Sequence, residues 1–427
     1  MVADKFRFIL FKKMAAAIAR KWVKSAKFTP SWMAQHMPSQ ITVKSSTCSP
    51  SFMYTEENQR HLLSDDLTKR SEMSLVDLAP VEMFQRMERQ EMEGLSTEQR
   101  EWLYFTSKCS DLSVSVAEAA DGWEKLRVDP ALSAAVGNPE SPSIWIGGQG
   151  TSTTAHYDVM DNMFVQVHGR KRFRLWGPDA CPDLCVFPDV HPRARKSQIE
   201  NIETLTLMRP PSRDIILEPG DTLHLPAFTF HQVEALDLSV SINVFSVCRT
   251  QMHGGRILSS PVPLVLSPEA LLQKKSSAVS AVSASASASA RELAHVIRKT
   301  LPLFGIHTDY REYITRHLLE TRHRRLAGYR EDDWVTGEDW VTGEGEEEEE
   351  RCRSSAALRS DVLETLSSWW TTMEIDMIAS ENYKLEGEVE GVRDIIVSHL
   401  LESWALQLNH GNPDLVHKML EHVVRLR

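Results

Sequence analysis

Two histidines and one aspartate carry the chemistry this chain can offer. His156 and Asp158 stand one residue apart in Ala155-His156-Tyr157-Asp158, and His231 follows 75 positions later in Phe230-His231-Gln232. Two imidazoles and one carboxylate on one face of an iron ion leave three coordination positions open for oxygen and a co-substrate. A His-x-Asp pair alone is a weak signal, because the chain has 16 histidines and most histidines are structural or solvated. The combination is specific: glycines 147, 148 and 150 before the pair, a lysine on the inner face of the next hairpin, the turn Glu218-Pro219-Gly220-Asp221, then a histidine leading into a strand.

Extended segments must position these groups. Residues two apart on a strand share a face, so His156 and Asp158 point inward together while Tyr157 points away. The run Asn162–Trp176 alternates on both sides of His168-Gly169 and predicts a hairpin. On its second strand Lys171 shares a face with Phe173 and Leu175, opposite Arg172, Arg174 and Trp176. Lysines are almost never fully buried unless paired, so Lys171 requires an anion inside, either a protein carboxylate or a bound ligand. A dicarboxylate chelating the metal at one end would place its other carboxylate on that ammonium. Thr153 can add a hydroxyl there, and Tyr104 a phenol if its helix lies across the barrel mouth. Asn162 and Asn243 fall on inward faces, where their amides suit a chelating keto acid, bound water or a structural pair. The spacing of short strands and turns over 141–250 predicts a double-sheet jelly roll.

Around that unit the chain reads as flanking helices. Gln40–Val43 predicts a short strand, Ser45–Phe52 a loop, Leu75–Glu93 a helix, and Ser96 the start of a second helix running into Trp102-Leu103-Tyr104-Phe105. Residues 113–140 predict mixed helix and loop, completing an N-terminal region, 31–140, that packs on the barrel. Residues 1–27 hold eight Lys/Arg against one Asp, the composition of an organelle transit peptide or of a solvated helix. Ser276–Ala290 predicts a flexible linker. The region 291–427 predicts helices over Glu292–Thr300, Asp309–Ala327, Ser354–Glu374, Val389–Leu406 and Pro413–Leu426, whose apolar faces need cover from the barrel or from a second copy in a homodimer. Within it, Asp333–Glu344 repeats Asp-Trp-Val-Thr-Gly-Glu ahead of a glutamate run, and 331–353 reads as a solvated acidic insert.

The bulk composition, 42% hydrophobic and 25% charged, is that of a globular protein. A net charge of -11 argues against coating nucleic acid through bulk charge and leaves only local basic patches. The densest are Arg193, Arg195 and Lys196 beside the barrel, and Arg316, Arg322, Arg324 and Arg325 in the C-terminal half. Six scattered cysteines without a Cys-x-x-Cys pair suggest a reducing compartment, cytoplasm or nucleus, with a mitochondrion as the alternative if the basic N-terminus is a targeting segment. No apolar run reaches the ~20 residues of a membrane-spanning helix.

Residues 143–247 resemble the JmjC domain of Fe(II)- and 2-oxoglutarate-dependent oxygenases, in its cupin-like hydroxylase branch. The likeness rests on His156-Tyr157-Asp158, on Lys171 in Gly169-Arg170-Lys171-Arg172, and on Pro219-Gly220-Asp221 through His231. Thr153, Asn162 and Asn243 stand where the asparaginyl hydroxylases acting on hypoxia-inducible factor carry polar residues near iron and co-substrate. The run His156 to Asn162, together with Tyr104, Arg298-Lys299-Thr300-Leu301 and Asp309-Tyr310-Arg311-Glu312-Tyr313, is similar to the branch that hydroxylates wybutosine in tRNA. The resemblance extends over about residues 75 to 330 and omits the Ser/Ala and acidic inserts and much of the tail. It implies an α+β fold, a double-stranded β-helix flanked by N-terminal helices and a C-terminal helical unit. It also implies iron held by His156, Asp158 and His231, 2-oxoglutarate held by Lys171 with Thr153, Tyr104, Asn162 and Asn243, molecular oxygen, and a tRNA or protein substrate.

Overall fold

Alternation of side-chain character decides which way each strand of this protein faces. In the computed structural model, residues 13–52, 73–93, 99–135, 141–264, 279–324, 358–380, 383, 386–409 and 415–426 are described. Thirteen strands form among them: β1 Ile41–Ser46, β2 Ser51–Phe52, β3 Met73–Leu78, β4 Trp102–Lys108, β5 Ser143–Gly147, β6 Ser152–Thr153, β7 His156–Tyr157, β8 Asp161–His168, β9 Lys171–Trp176, β10 Arg213–Leu217, β11 Thr222–Leu225, β12 Phe230–Ala235 and β13 Ser239–Ser246. They build two sheets. The larger runs β11-β8-β13-β5-β4-β1-β3; the smaller runs β10-β9-β12-β6-β2, with β7 also paired to β12. This is the double-sheet jelly roll expected from the strand count, with helices on either side of it.

The period of two sorts the barrel's apolar side chains into separate clusters. Val240, Ile242 and Val244 of β13, with Met163, Val165 and Val167 of β8 and Ile144 and Ile146 of β5, face outward onto an N-terminal layer holding Ala19, Trp22, Met83 and Phe84. Phe164, Phe173, Leu175, Leu217, Leu223 and Leu225 fill the space between the sheets. A third cluster joins Tyr157, Trp176, Phe228 and Phe230 of the barrel to the C-terminal helices Val279–Thr300, Ser360–Ala379, Glu386–Leu408 and Val416–Arg425. The barrel therefore covers apolar faces of those helices within one chain. None of the helices is long and apolar enough to cross a membrane among the described residues.

The run Asn162–Trp176 is not a hairpin. β8 and β9 have the predicted alternation, but β8 pairs with β11 and β13 in the larger sheet, while β9 pairs with β10 and β12 in the smaller. The turn between them carries the chain from one sheet to the other. Gly169 makes this turn at φ +62, where a Cβ would lie 2.2 Å from the Leu238 carbonyl oxygen. Only glycine adopts that backbone without strain or collision. Two alternating strands joined by a tight turn predict pairing only when both belong to one sheet, and a jelly roll separates them.

Other expectations change in type. Trp102–Lys108 is strand β4, not helix, so Tyr104 reaches the barrel from the larger sheet. Its aromatic and β-branched run is a strand signal that outweighs the helix-start pattern at Ser96, which lies outside the described residues. The Leu75–Glu93 segment divides into β3 and the helix Pro80–Glu93, broken at Pro80. The Ser45–Phe52 loop contains the end of β1 and the short β2. From Val279 onward the Ser/Ala tract is the beginning of helix Val279–Thr300 instead of a linker, in keeping with alanine's high helix propensity. The N-terminal helix Lys13–Ser25 packs Ala15, Ala19 and Trp22 into the core and leaves Arg20, Lys21 and Lys24 exposed, so that half of the basic segment is a helix docked by its apolar face with its basic face solvated. Residues 1–12 and the acidic repeat insert lie outside the described residues.

Candidate metal centre

The ligand-bearing segments meet at one end of the barrel. β7 lies along one side of β12 with His156 directly opposite His231, while on the other side of β12 Leu175 of β9 faces His231. Asp158 follows β7 two residues after His156, on the same face as the strand period requires. The two imidazole rings stand 4.2 Å apart between centroids. His231 Nε2 is 3.7 Å from an Asp158 carboxylate oxygen. One donor atom from each of the three residues falls within 4.8 Å of the others, and they form the single such group among the described residues.

Each histidine has a fixed tautomer. His156 Nδ1 donates to the Thr154 carbonyl at 2.7 Å, and His231 Nδ1 to the Thr229 carbonyl at 3.0 Å. With Nδ1 carrying the proton, Nε2 presents its lone pair to the shared centre, which is how metal-ligating histidines are oriented. Burial, followed by the charge of His231, pushes the His156 pKa down to about 3, so the ring stays a neutral donor. Two neutral nitrogens and one carboxylate oxygen suit a divalent first-row metal and leave coordination positions open.

Lys171 faces the same chamber from β9. It is 3% exposed, its Nζ donates to the Trp145 carbonyl at 3.5 Å, and it lies 5.5 Å from the centroid of the Phe164 ring. Among the described residues no carboxylate stands within ion-pair distance of it. Burial alone pushes its pKa down to about 7. A buried ammonium with so little compensation favours an arriving anion, and the protein-carboxylate alternative for its partner falls away.

All eight residues singled out from the sequence line this chamber: Tyr104, Thr153, His156, Asp158, Asn162, Lys171, His231 and Asn243. Tyr104 enters from β4, and burial raises its pKa, keeping the phenol protonated as a donor. The Thr153 hydroxyl accepts from the Val233 amide at 3.2 Å and holds β6 against β12. Asn243 Nδ2 donates to Asn162 Oδ1 at 3.0 Å, and Trp145 Nε1 donates to Asn243 Oδ1 at 2.7 Å. Sequence reasoning missed Trp145, whose carbonyl meets Lys171 and whose indole fixes the amide pair. Its position on β5, alternating with Ile144 and Ile146, is the signal that places it inward.

A second, wider cavity of about 440 Å³ opens onto the chamber through Tyr104, Trp145, Thr153, His156, Asp158 and Phe245. Its wall carries Lys44, Lys108, Arg195 and Lys196, and among the described residues Asp158 is the single acidic residue that lines it. Two members of the basic cluster predicted beside the barrel thus reach the mouth; Arg193, the third, sits 3.7 Å from Glu200. Of the C-terminal cluster, Arg325 lies outside the described residues. Arg322 is buried in a two-pronged ion pair with Glu402, and Arg316 pairs with Glu312 one turn away. Cys181 and Cys185 are both buried, and neither is in a disulfide bond.

Residues 17–246 match the profile of the cupin-like domain family. A Danio rerio protein, tRNA wybutosine-synthesizing protein 5, is 38% identical over 106 residues, 23% of this chain and 31% of that protein. The Homo sapiens protein of the same name is 34% identical over 106 residues, 23% of this chain and 32% of its own length. Lysine-specific demethylase JMJ31 of Arabidopsis thaliana is 31% identical over 111 residues, 24% of this chain and 20% of that protein. The matched stretch spans about a third of the length of the first two relatives. A profile match over more than half the residues, on two facing sheets of this topology, makes the assignment: the chain belongs to the cupin-like domain family.

Proposed function

We propose that this chain is an Fe(II)- and 2-oxoglutarate-dependent hydroxylase acting on the wybutosine base of tRNA. One observation carries the reading: a two-histidine, one-aspartate group shares a chamber with a buried ammonium that has no carboxylate within ion-pair distance among the described residues. His156 and His231 hold the metal through Nε2 and Asp158 through its carboxylate. Lys171 takes the distal carboxylate of 2-oxoglutarate, and Thr153 and Tyr104 add hydroxyl donors. Asn162 and Asn243 supply amide groups on the side facing the metal. Iron bound with 2-oxoglutarate and oxygen supplies oxidative insertion of one oxygen atom into a substrate C–H bond. The apolar wall of Phe164, Phe173, Leu225 and Val233 keeps water from the ammonium.

The substrate reading rests on the outer cavity and on the names of the relatives. Among the described residues, four cationic side chains around one acidic residue favour a polyanion, and an anticodon-loop base is reachable without opening a duplex. The test is incubation of the purified chain with Fe(II), 2-oxoglutarate, oxygen and wybutosine-containing tRNA, followed by mass analysis of the nucleosides. A gain of one oxygen atom on the base, absent with Asp158→Ala, is the expected result. A gain on a protein and none on tRNA would move the substrate to an amino-acid side chain. No succinate with any substrate would leave a non-catalytic cupin module.

A further inference from the structure

The C-terminal helical unit touches both segments that carry the metal ligands. Tyr157, between His156 and Asp158, points away from the chamber, and its hydroxyl meets His399 Nε2 at 3.1 Å in a buried contact. His399 sits on the helix Glu386–Leu408, and its Nδ1 lies 3.7 Å from Asp189. Asp189 is in turn held by its backbone amide, which donates to Glu402 on the same helix at 2.7 Å. Tyr383, just ahead of that helix, donates its hydroxyl to the Ala227 carbonyl at 2.9 Å. Ala227 belongs to the loop before β12, the loop whose Thr229 carbonyl orients His231.

The two ligand segments are also stitched to each other. The Phe228 amide donates to the Asp158 carbonyl at 2.7 Å, and the Ala227 amide to Asp161 at 2.9 Å. Phe228 adopts φ +61, a left-handed conformation that a bulky residue keeps only where its surroundings impose it. Tyr157 packs against both Phe228 and Phe230, at centroid distances of 5.7 and 5.0 Å. β7 is two residues long, so its own ladder gives His156 little rigidity. The remaining constraint comes from the 195–197 segment, whose Arg195 carbonyl accepts from the Tyr157 amide at 3.3 Å and whose Ser197 amide donates to the Ala155 carbonyl at 2.8 Å, and from the C-terminal helices.

We infer that the C-terminal helical unit is part of the metal centre's support: the contacts Tyr157 to His399 and Tyr383 to Ala227 set the spacing of the His156–Asp158 segment relative to His231. Tyr157, His399 and Tyr383 are positioning residues and touch neither metal nor substrate. The inference rests on the metal reading above and adds a role for residues well over a hundred positions from the ligands in sequence. Loss of groups that orient ligands from behind typically weakens metal affinity about 10- to 100-fold.

The test is Co(II) binding to the full-length metal-free protein, read by calorimetry and by the visible absorption of the bound ion. Tyr157→Phe and Tyr383→Phe keep each ring in its packing and remove only the hydroxyl. Both should bind Co(II) roughly 10- to 100-fold more weakly, with an altered visible spectrum. His399→Gln, whose amide reaches toward the same hydroxyl, should retain most of the affinity. Tyr313→Phe is the control, since its hydroxyl meets Asp394 inside the helical unit at 3.4 Å and touches neither ligand segment. It should lower the melting temperature and leave Co(II) affinity and spectrum unchanged. Wild-type affinity and spectrum in both tyrosine variants, or equal weakening in Tyr313→Phe, would overturn the inference and leave the metal reading intact. No Co(II) binding by the wild-type protein would overturn both.

Discussion

The two sheets of the barrel bring different chemistry to the same chamber. The smaller supplies the groups that meet charge: His156 on β7, His231 on β12, Lys171 on β9 and the Thr153 hydroxyl on β6. The larger supplies neutral groups: Tyr104 on β4, Trp145 on β5, Asn162 on β8 and Asn243 on β13. Their supports differ as well. The larger sheet has long strands backed by the N-terminal apolar layer, and its amides are locked to each other and to Trp145. The smaller sheet carries His156 on the two-residue β7, Asp158 on the loop after it and His231 near the start of the six-residue β12, secured by backbone contacts and by the C-terminal helices. Binding charge and keeping shape are thus divided between two faces that can be perturbed separately.

If that division holds, the largest effect belongs to the smaller sheet's side. Asp158→Ala should abolish substrate oxidation and metal retention, measured by metal content after desalting, while the melting temperature of the metal-free protein changes little. Lys171→Met comes next. It fills the same space without charge, and should cost about 2–5 kcal/mol in 2-oxoglutarate binding while Co(II) binding in the absence of 2-oxoglutarate is retained. Equal loss of metal would show that Lys171 supports the ligands instead of the anion.

Lys171 also gives the sheet a pH signature. Its buried pKa of about 7 lies below the ordinary 10.5, so between these values the unfolded chain binds the extra proton. Its contribution to stability therefore rises with pH across that window. Anion binding requires the ammonium, so 2-oxoglutarate affinity should fall as pH climbs above about 7, and Lys171→Met should flatten both trends.

Asn243→Ala tests the other face. It leaves the Trp145 indole N–H and the Asn162 carbonyl oxygen without their partner, at roughly 1–3 kcal/mol each for groups left buried and unsatisfied. The cost should appear in thermal unfolding before it appears in metal affinity; the reverse order would make Asn243 a support of the metal ligands themselves. Smallest is Lys44→Ala at the outer cavity, which should leave the chemistry intact and lower the salt slope of tRNA binding by about 0.7. An unchanged slope would remove Lys44 from the RNA path.

The sequence made the charged face readable and hid most of what supports it. His156 and Asp158 are two apart on one extended segment, and Lys171 interrupts an apolar alternation, so local period alone exposes them. The placement of β8 and β9 in opposite sheets was not legible, because a tight turn looks the same whether it joins partners or crosses between layers. Tyr104 lines the chamber from strand β4 and not from a helix, since the residues before it imitate a helix start. Lys44, Lys108 and Arg195 come from three separate segments and share a wall only after folding. The contact of Tyr157 with His399 spans 242 residues, and no local pattern marks either partner.

The most direct test of the account is anaerobic calorimetry of 2-oxoglutarate binding to the wild-type protein with and without Fe(II). If His156, Asp158 and His231 hold the metal opposite a buried ammonium as proposed, 2-oxoglutarate should bind tightly only when the metal is present, with that binding lost in His231→Ala and strongly weakened in Lys171→Met. Binding that is the same with and without metal, or absent in both conditions, would contradict it.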